Sequence, residues 1–335
     1  MGGPRRAVGG TGHRRGIGTW LLAMVGGLVT VSLIVGGFYV WRVWSTVDQV
    51  ERSDTLMPTG DDRPPAEAAA SGSLNVVLMG SDARSDDERG RSDVLMLAHV
   101  SPARDQVYIV SFPRDMWVTI PDRGYAKINA AYSWGGDPLA IRTIESLTGV
   151  RIDHAAKINF DGFIGLTTAL DGVTVNNRVA SKSGGYSWPK GQIAIQGEEA
   201  LTYVRQRYEL AGGDLDRAER QRAVVKAILT KMMSANVIAN PLTFNEVMGE
   251  LGQYFTVDSG LTNEVLFQTA TSMRVTSSGD IRLLQAPISG FSRSADGQSI
   301  DLVDEAQLAE LADAIRNGTM AAYYEKYKDQ PFAGR

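Results

Sequence analysis

Five arginines, Arg205, Arg207, Arg217, Arg220 and Arg222, fall within eighteen positions of the stretch LTYVRQRYELAGGDLDRAERQR (201–222). Several guanidiniums converging on one point suit a multiply charged anion, because phosphate accepts their paired N–H groups bidentately. Gly212-Gly213 breaks the chain and Asp is a favoured N-cap, so a helix is predicted to open at Asp214. At 100° per residue, Arg217, Gln221, Val224, Val225, Ile228 and Met232 share one face of it, the apolar one. A guanidinium and an amide at the head of a buried stripe need partners, since unpaired buried charge is costly. Arg222 and Glu219 fit a solvated face instead. Arg205 and Arg207, two apart, point the same way if their segment is extended. The stretch reads as an anion site.

Carboxylates come from elsewhere. LNVVLMG (74–80), VLMLAHV (94–100) and QVYIVSF (106–112) are short apolar runs bounded by turn residues, read as buried strands. If they form an antiparallel meander, the end of the first, the start of the second and the end of the third lie together. Three loops then meet, pairing Asp82 with Arg84, Asp93 with Arg91, and Asp115 with Arg114. Two or three carboxylates among guanidiniums suit a hard divalent cation, Mg²⁺ or alternatively Mn²⁺, held together with a phosphate group. Phosphoryl transfer needs little more than such positioning and charge neutralisation. The same pairs also read as loop salt bridges, worth roughly 0–1 kcal/mol each at a surface. Spacing alone leaves both readings open.

These elements sit in a chain of 335 residues, 43% hydrophobic, which allows a sizeable core. The net charge of −4 gives no global pull toward nucleic acid, so an anion site must be local. With no cysteine, thiol catalysis, disulfides and Cys-ligated zinc are excluded, and three scattered histidines make no metal cluster. Residues 17–41 carry no charge. As a helix they would extend about 37 Å, enough for a hydrocarbon core of roughly 30 Å. Trp20, Tyr39, Trp41 and Trp44 flank the span, and Arg5, Arg6, Arg14 and Arg15 precede it. The positive-inside bias therefore predicts a single-pass signal-anchor in the cell membrane, with 1–16 cytoplasmic and the remainder outside. Residues 42–72, rich in Pro, Ala and Asp, read as a flexible linker.

Beyond the meander, the sequence predicts a helix with Asp137 as N-cap and Gly149 past its end, a strand at 154–160, and a helix between Asp161 and Gly172. A strand (172–177), a loop with a hairpin (181–196) and a short helix, GEEALTYV, lead into the arginines. Further helices and a strand, IRLLQA, fill 236–320 as a C-terminal extension of the 74–232 core, and 321–335 read as a tail. Strands alternating with helices, with the first strands antiparallel, predict an α/β domain over 73–320: one mixed sheet with helices on both faces.

GSDAR (80–84), RSD (91–93), SFPRDMWVTIP (111–121), KINAAYSWGG (127–136), VRQRY (204–208) and DLDRAERQR (214–222), in this order behind one N-terminal span, resemble the LytR-CpsA-Psr (LCP) family. The resemblance is close over 74 to about 232 and looser beyond. It implies an enzyme outside the membrane that moves a glycopolymer from a polyprenyl-pyrophosphate carrier onto peptidoglycan, forming a phosphodiester. It further implies Asp82 and Asp93 as magnesium ligands, and Arg91, Arg114, Arg205, Arg207, Arg217 and Gln221 as holding the pyrophosphate. Asp93, Arg91 and Arg114 are the candidate catalytic residues. Arg84, Asp115 and Lys127 sit in family motifs with less specific roles, and Arg220 is an additional candidate. Tyr208 stands where many members carry a basic residue. Water as acceptor would make the same site a polyprenyl-diphosphate hydrolase, and binding without chemistry would make it an envelope regulator. Nothing in the sequence chooses the acceptor or the glycopolymer, although the Arg-, Gly- and Ala-rich style favours an arabinogalactan-like one over teichoic or capsular types.

Overall fold

The computed structural model describes residues 36–46, 48–60, 63–66, 70–81 and 92–329. The chain divides into two compact units, Met1–Ser45 and Thr46–Arg335. In the first, residues 36–45 are helical, while 17–35, most of the expected membrane span, lie outside the described residues. Among the described residues no helix is long and apolar enough to cross a membrane.

The second unit is built on a seven-stranded mixed sheet. Its spatial order is Glu51–Ser53, Phe255–Asp258, His154–Asn159, Leu74–Ser81, Ser92–Val100, Val107–Ser111 and Ile281–Gln285. The three central runs pair antiparallel in sequence order, as the alternation of apolar runs and short turns predicts. Strand His154–Asn159 adds parallel to Leu74–Ser81, and Ile281–Gln285 parallel to Val107–Ser111. Side chains alternate between faces, and both faces are apolar. Val77, Met79, Leu97, Tyr108 and Val110 pack with Ile141 and Ile144 of one helix and Leu308, Leu311 and Ile315 of another. Met96, Val100, Val107 and Ile109 pack on the other side with Val225 and Leu229. A smaller core joins the Asp214–Met232 helix to Val173, Val175, Trp188 and Tyr203.

Several boundaries differ from expectation for local reasons. The helix expected from Asp137 runs Ile128–Thr148, kinked at Gly136 (φ 67°), with Gly149 closing it in the left-handed region. The helix Phe160–Ala169 is capped by Asn159, whose Oδ1 accepts from Gly162 N–H at 2.8 Å, and not by Asp161. The stretch read as a linker is tied down. Glu51–Ser53 pairs with Phe255–Asp258 at the sheet edge, Leu56 is fully buried in the main core, and Arg63 reaches buried Glu145 at 2.7 Å. One apolar side chain and one ion pair are enough to dock a segment whose composition is otherwise that of a spacer. In the C-terminal extension the expected strand IRLLQA is present as Ile281–Gln285, and Phe255–Asp258 adds a second, unexpected strand to the central sheet. The expected tail begins inside a helix, Met320–Tyr327, held by buried Met320 and Tyr323.

Candidate active site

Register places the end of Leu74–Ser81 opposite the start of Ser92–Val100, with the ends of Val107–Ser111, His154–Asn159 and Ile281–Gln285 on the same side. The loops attached at these strand ends therefore lie at one end of the sheet. Arg114 and Asp115 lie three and four residues past Ser111, and Asp93 is the second residue of its strand. Asp82, Arg84 and Arg91 lie outside the described residues.

The arginine stretch is delivered to this end by two helices. Gly197–Arg205 ends at Arg205, so Arg205 and Arg207 are not on one extended segment, yet both line the same cleft. Asp214–Met232 opens where expected, with a different cap: Gly213 (φ 51°) takes the N-cap position. The Asp214 carboxylate instead meets Arg217 at 2.5 Å and Arg114 at 3.2 Å, because two guanidiniums hold it more strongly than one backbone N–H. Asp216 Oδ2 accepts from Gly212 N–H at 2.6 Å. Arg217, Gln221, Val224 and Ile228 are buried on the predicted face.

The cleft has a volume of about 610 Å³, and four guanidiniums, Arg114, Arg205, Arg207 and Arg217, line it. Beside it, an apolar cavity of about 250 Å³ opens between the sheet and the helices, lined by Leu78, Met96, Phe163, Val224, Ile228 and Leu251 among others. Leu201 and Arg205 line both spaces. The Arg205 guanidinium stacks over Phe160 at 4.4 Å, at the polar boundary of the apolar space. Gln221 lines the apolar cavity and not the arginine cleft, its Nε2 donating to the Val204 carbonyl at 3.3 Å.

Carboxylates next to the arginines are electrostatically strained. Burial pushes the Asp214 carboxyl up, and Asp115 adds to the rise, against the pull of Arg217, Arg114 and Arg207. Lys127 Nζ lies 2.9 Å from Asp115 Oδ1, and Arg114 Nε lies 3.9 Å from the same oxygen. Behind them stands Asp301, which the sequence reading missed. It comes from the hairpin Ile288–Arg293/Ser299–Val303, and its N–H donates to the Asp115 carbonyl at 2.9 Å. Its carboxyl is pushed up to about 6 by burial and by Asp115 and Asp214, with Lys127 opposing. No local signal marks Asp301, because its partner Asp115 lies far away in the sequence. Among the described residues no group of three or more acids or histidines is placed to hold a metal.

Two arginines serve the interior. Arg220 donates to Gln206, Asn177, Val179 and Ser181 and stacks on Tyr203, and it does not line the cleft. Arg222, expected on a solvated face, is buried and donates to Ser111 Oγ and Gln285 Oε1. The helix is packed on this side as well, against Ile281–Gln285, whose position in the sheet no local pattern reveals.

A mixed α/β sheet thus carries an arginine cleft at one end and an apolar cavity beside it. The chain matches the LytR_cpsA_psr family over residues 44–317 and belongs to that family. It is 32% identical over 311 residues, 90% of this chain and 97% of the other, to an Enterococcus faecalis protein. That relative is the polyisoprenyl-teichoic acid–peptidoglycan teichoic acid transferase TagU. The TagU of Halalkalibacterium halodurans is 33% identical over 68% of this chain and 77% of its own. Among solved structures, TagT bound to LI-WTA superposes with a TM-score of 0.60 at 25% identity, covering 81% of this chain and 99% of that one. Both TagU relatives are named as transferases of teichoic acid to peptidoglycan.

Proposed function

We propose that this chain transfers a glycopolymer from a polyprenyl-diphosphate carrier to peptidoglycan in a Mg²⁺-dependent phosphotransfer at the outer face of the membrane. The observation that carries this reading is the junction at Leu201 and Arg205, where a four-arginine cleft meets an apolar cavity. A lipid diphosphate has the matching division, with chain on one side and charge on the other. The TagU relatives, named for polyisoprenyl-linked teichoic acid and peptidoglycan, support the same substrate class.

The chemistry follows from charge. A peptidoglycan hydroxyl (on family resemblance, the 6-hydroxyl of N-acetylmuramic acid) attacks the phosphorus bonded to the glycan. The bond from that phosphorus to the bridging oxygen breaks, and polyprenyl phosphate leaves. Arg114, Arg205, Arg207 and Arg217 would hold the diphosphate and take up the charge that develops on its oxygens. Asp93 and Asp82 would hold the magnesium ion: they follow Ser92 and Ser81, two residues paired across neighbouring strands. Two carboxylates leave the remaining coordination positions to phosphate oxygens and water. When bound there, the ion would neutralise charge on the non-bridging oxygens. The uncharged stretch 17–41 would anchor the domain beside its lipid substrate.

Incubating the full-length protein in detergent with lipid-linked glycan, Mg²⁺ and peptidoglycan tests the proposal. Glycan covalently attached to the wall material, with release of polyprenyl phosphate, is the expected result. Free phosphorylated glycan would make the protein a hydrolase, and unchanged substrate a binding protein.

A further inference from the structure

Behind the cleft arginines, three carboxylates face one another from separate elements: Asp115 from the turn after Val107–Ser111, Asp214 from the start of its helix, and Asp301 from the hairpin strand Ser299–Val303. Two of them have cations of their own. Asp214 meets Arg114 at 3.2 Å and Arg217 at 2.5 Å, and Asp115 meets Lys127 at 2.9 Å. Asp301 has none. Among the described residues it takes part in no ion pair, and its buried Oδ2 receives no hydrogen bond.

The backbone holds Asp301 in this place. It is 6% exposed, its N–H donates to the Asp115 carbonyl at 2.9 Å, and a bridge joins it to fully buried Met116. Across the hairpin its register partner is Phe291. A carboxylate buried without a partner is strongly disfavoured as an anion. Asp115 and Asp214 disfavour it further and only Lys127, at the end of Gly124–Lys127, opposes them, so the carboxyl is pushed up to about 6.

Its charge reaches the cleft because Asp214 and a bound anion draw on the same guanidiniums. Arg114 and Arg217 both line the cleft and both contact Asp214. An ionised Asp301 sets a further negative charge behind them and weakens their pull on an anion, whereas a protonated Asp301 leaves that pull intact. We infer that Asp301 is a positioning residue which, through Asp115 and Asp214, sets how tightly Arg114 and Arg217 hold a diphosphate, so that the cleft takes up a proton together with its ligand. The inference rests on the function proposed above, in which the arginines hold a lipid diphosphate. Linkage fixes the sign: a bound anion raises the proton affinity of Asp301, so binding tightens as pH falls.

The probe is geranylgeranyl diphosphate esterified at its outer phosphate with N-acetylglucosamine, in which each phosphate keeps a single charge from about pH 5 to pH 8. Calorimetry on the full-length protein in detergent at saturating Mg²⁺ measures its affinity across that range. Repeating it in buffers of different ionisation enthalpy counts the protons taken up. Wild type is expected to bind about 10-fold more weakly at pH 8 than at pH 5, the fold-change of a one-unit rise in the Asp301 pKa on binding, and to take up part of a proton near pH 6. Asp301→Asn should keep the tighter affinity throughout and take up no proton. A merely structural side chain would change affinity equally at every pH. Lys127→Met removes the ammonium that opposes the proton, so it should move the fall to higher pH, and it decides the matter if Asp301→Asn does not fold.

A wild type whose affinity is flat with pH overturns the inference and leaves the diphosphate reading standing. An Asp301→Asn protein that keeps the fall, or a Lys127→Met protein that leaves it in place, also overturns it. A wild type that binds the probe at no pH removes the diphosphate reading and this inference together.

Discussion

Arg63 and Arg207 stand beyond opposite ends of one sheet and meet opposite surroundings. At the end marked by Leu74, Val100 and His154, guanidiniums are matched. Arg63 lies on Glu145 and donates to the Ile152 carbonyl at 2.5 Å, Arg151 donates to the Pro64 carbonyl at 3.0 Å, and Arg316 to the Thr148 carbonyl at 2.6 Å. At the other end, Arg114 and Arg217 meet Asp214, while Arg205 and Arg207 take part in no ion pair among the described residues. Matched guanidiniums stabilise the fold, whereas an excess of them leaves positive charge for a ligand to neutralise. One residue type thus does structural work at one end of the sheet and, in the proposed function, binds the diphosphate at the other.

Breaking each end should separate these roles. The largest effect is expected for Arg207→Ala, which should lower transfer by about 10²–10³-fold, as loss of one charge-stabilising donor does. Its unfolding temperature should barely move, since removing one like charge relieves repulsion. A large fall in unfolding temperature would make the cleft arginines structural. Arg63→Ala should do the reverse. It leaves Glu145 buried without its guanidinium, costing about 3 kcal/mol or more by chemical denaturation, while transfer per folded molecule stays at the wild-type level. Loss of transfer in that folded variant would undo the contrast.

A smaller effect tests the apolar cavity. Val225→Phe should fill part of it and weaken geranylgeranyl diphosphate about 10-fold, the worth of roughly two buried methylenes, without changing the affinity for inorganic diphosphate. Equal losses for the two ligands would show that the cavity holds no lipid. The smallest effect belongs to Asp301, whose folded carboxyl titrates near 6 against an ordinary 3.8. The folded state therefore binds the proton more tightly, and Asp301 costs stability as pH rises from about 4 to 6 and above. Asp301→Asn should unfold at a higher temperature than wild type at pH 8, with the difference vanishing below about pH 4. A pH-independent difference would mean that the carboxylate is not strained.

The corrections share one cause. Period and punctuation made the meander, the kinked helix's Gly149 stop and the Arg217–Gln221 face legible, because each depends on residues within a few turns of one another. Arg222 was read as solvated because the strand covering it, Ile281–Gln285, lies some sixty residues further on. Asp214 was read as a cap because the competing Arg114 is a hundred residues away. The docking of 51–63 was hidden because Leu56 and Arg63 find their partners only across the fold.

By itself the sequence determined the cluster of arginines, the central strands and the family resemblance, since local pattern and ordered motifs carry that information directly. Only the tertiary structure decided which arginines face the cleft, that an apolar cavity shares Leu201 and Arg205 with it, and that Asp301 stands behind Asp115. An apolar side chain lining a cavity and one filling a core have the same sequence signature. The difference lies in what packs against them, and that is set by the sheet's assembly from distant segments.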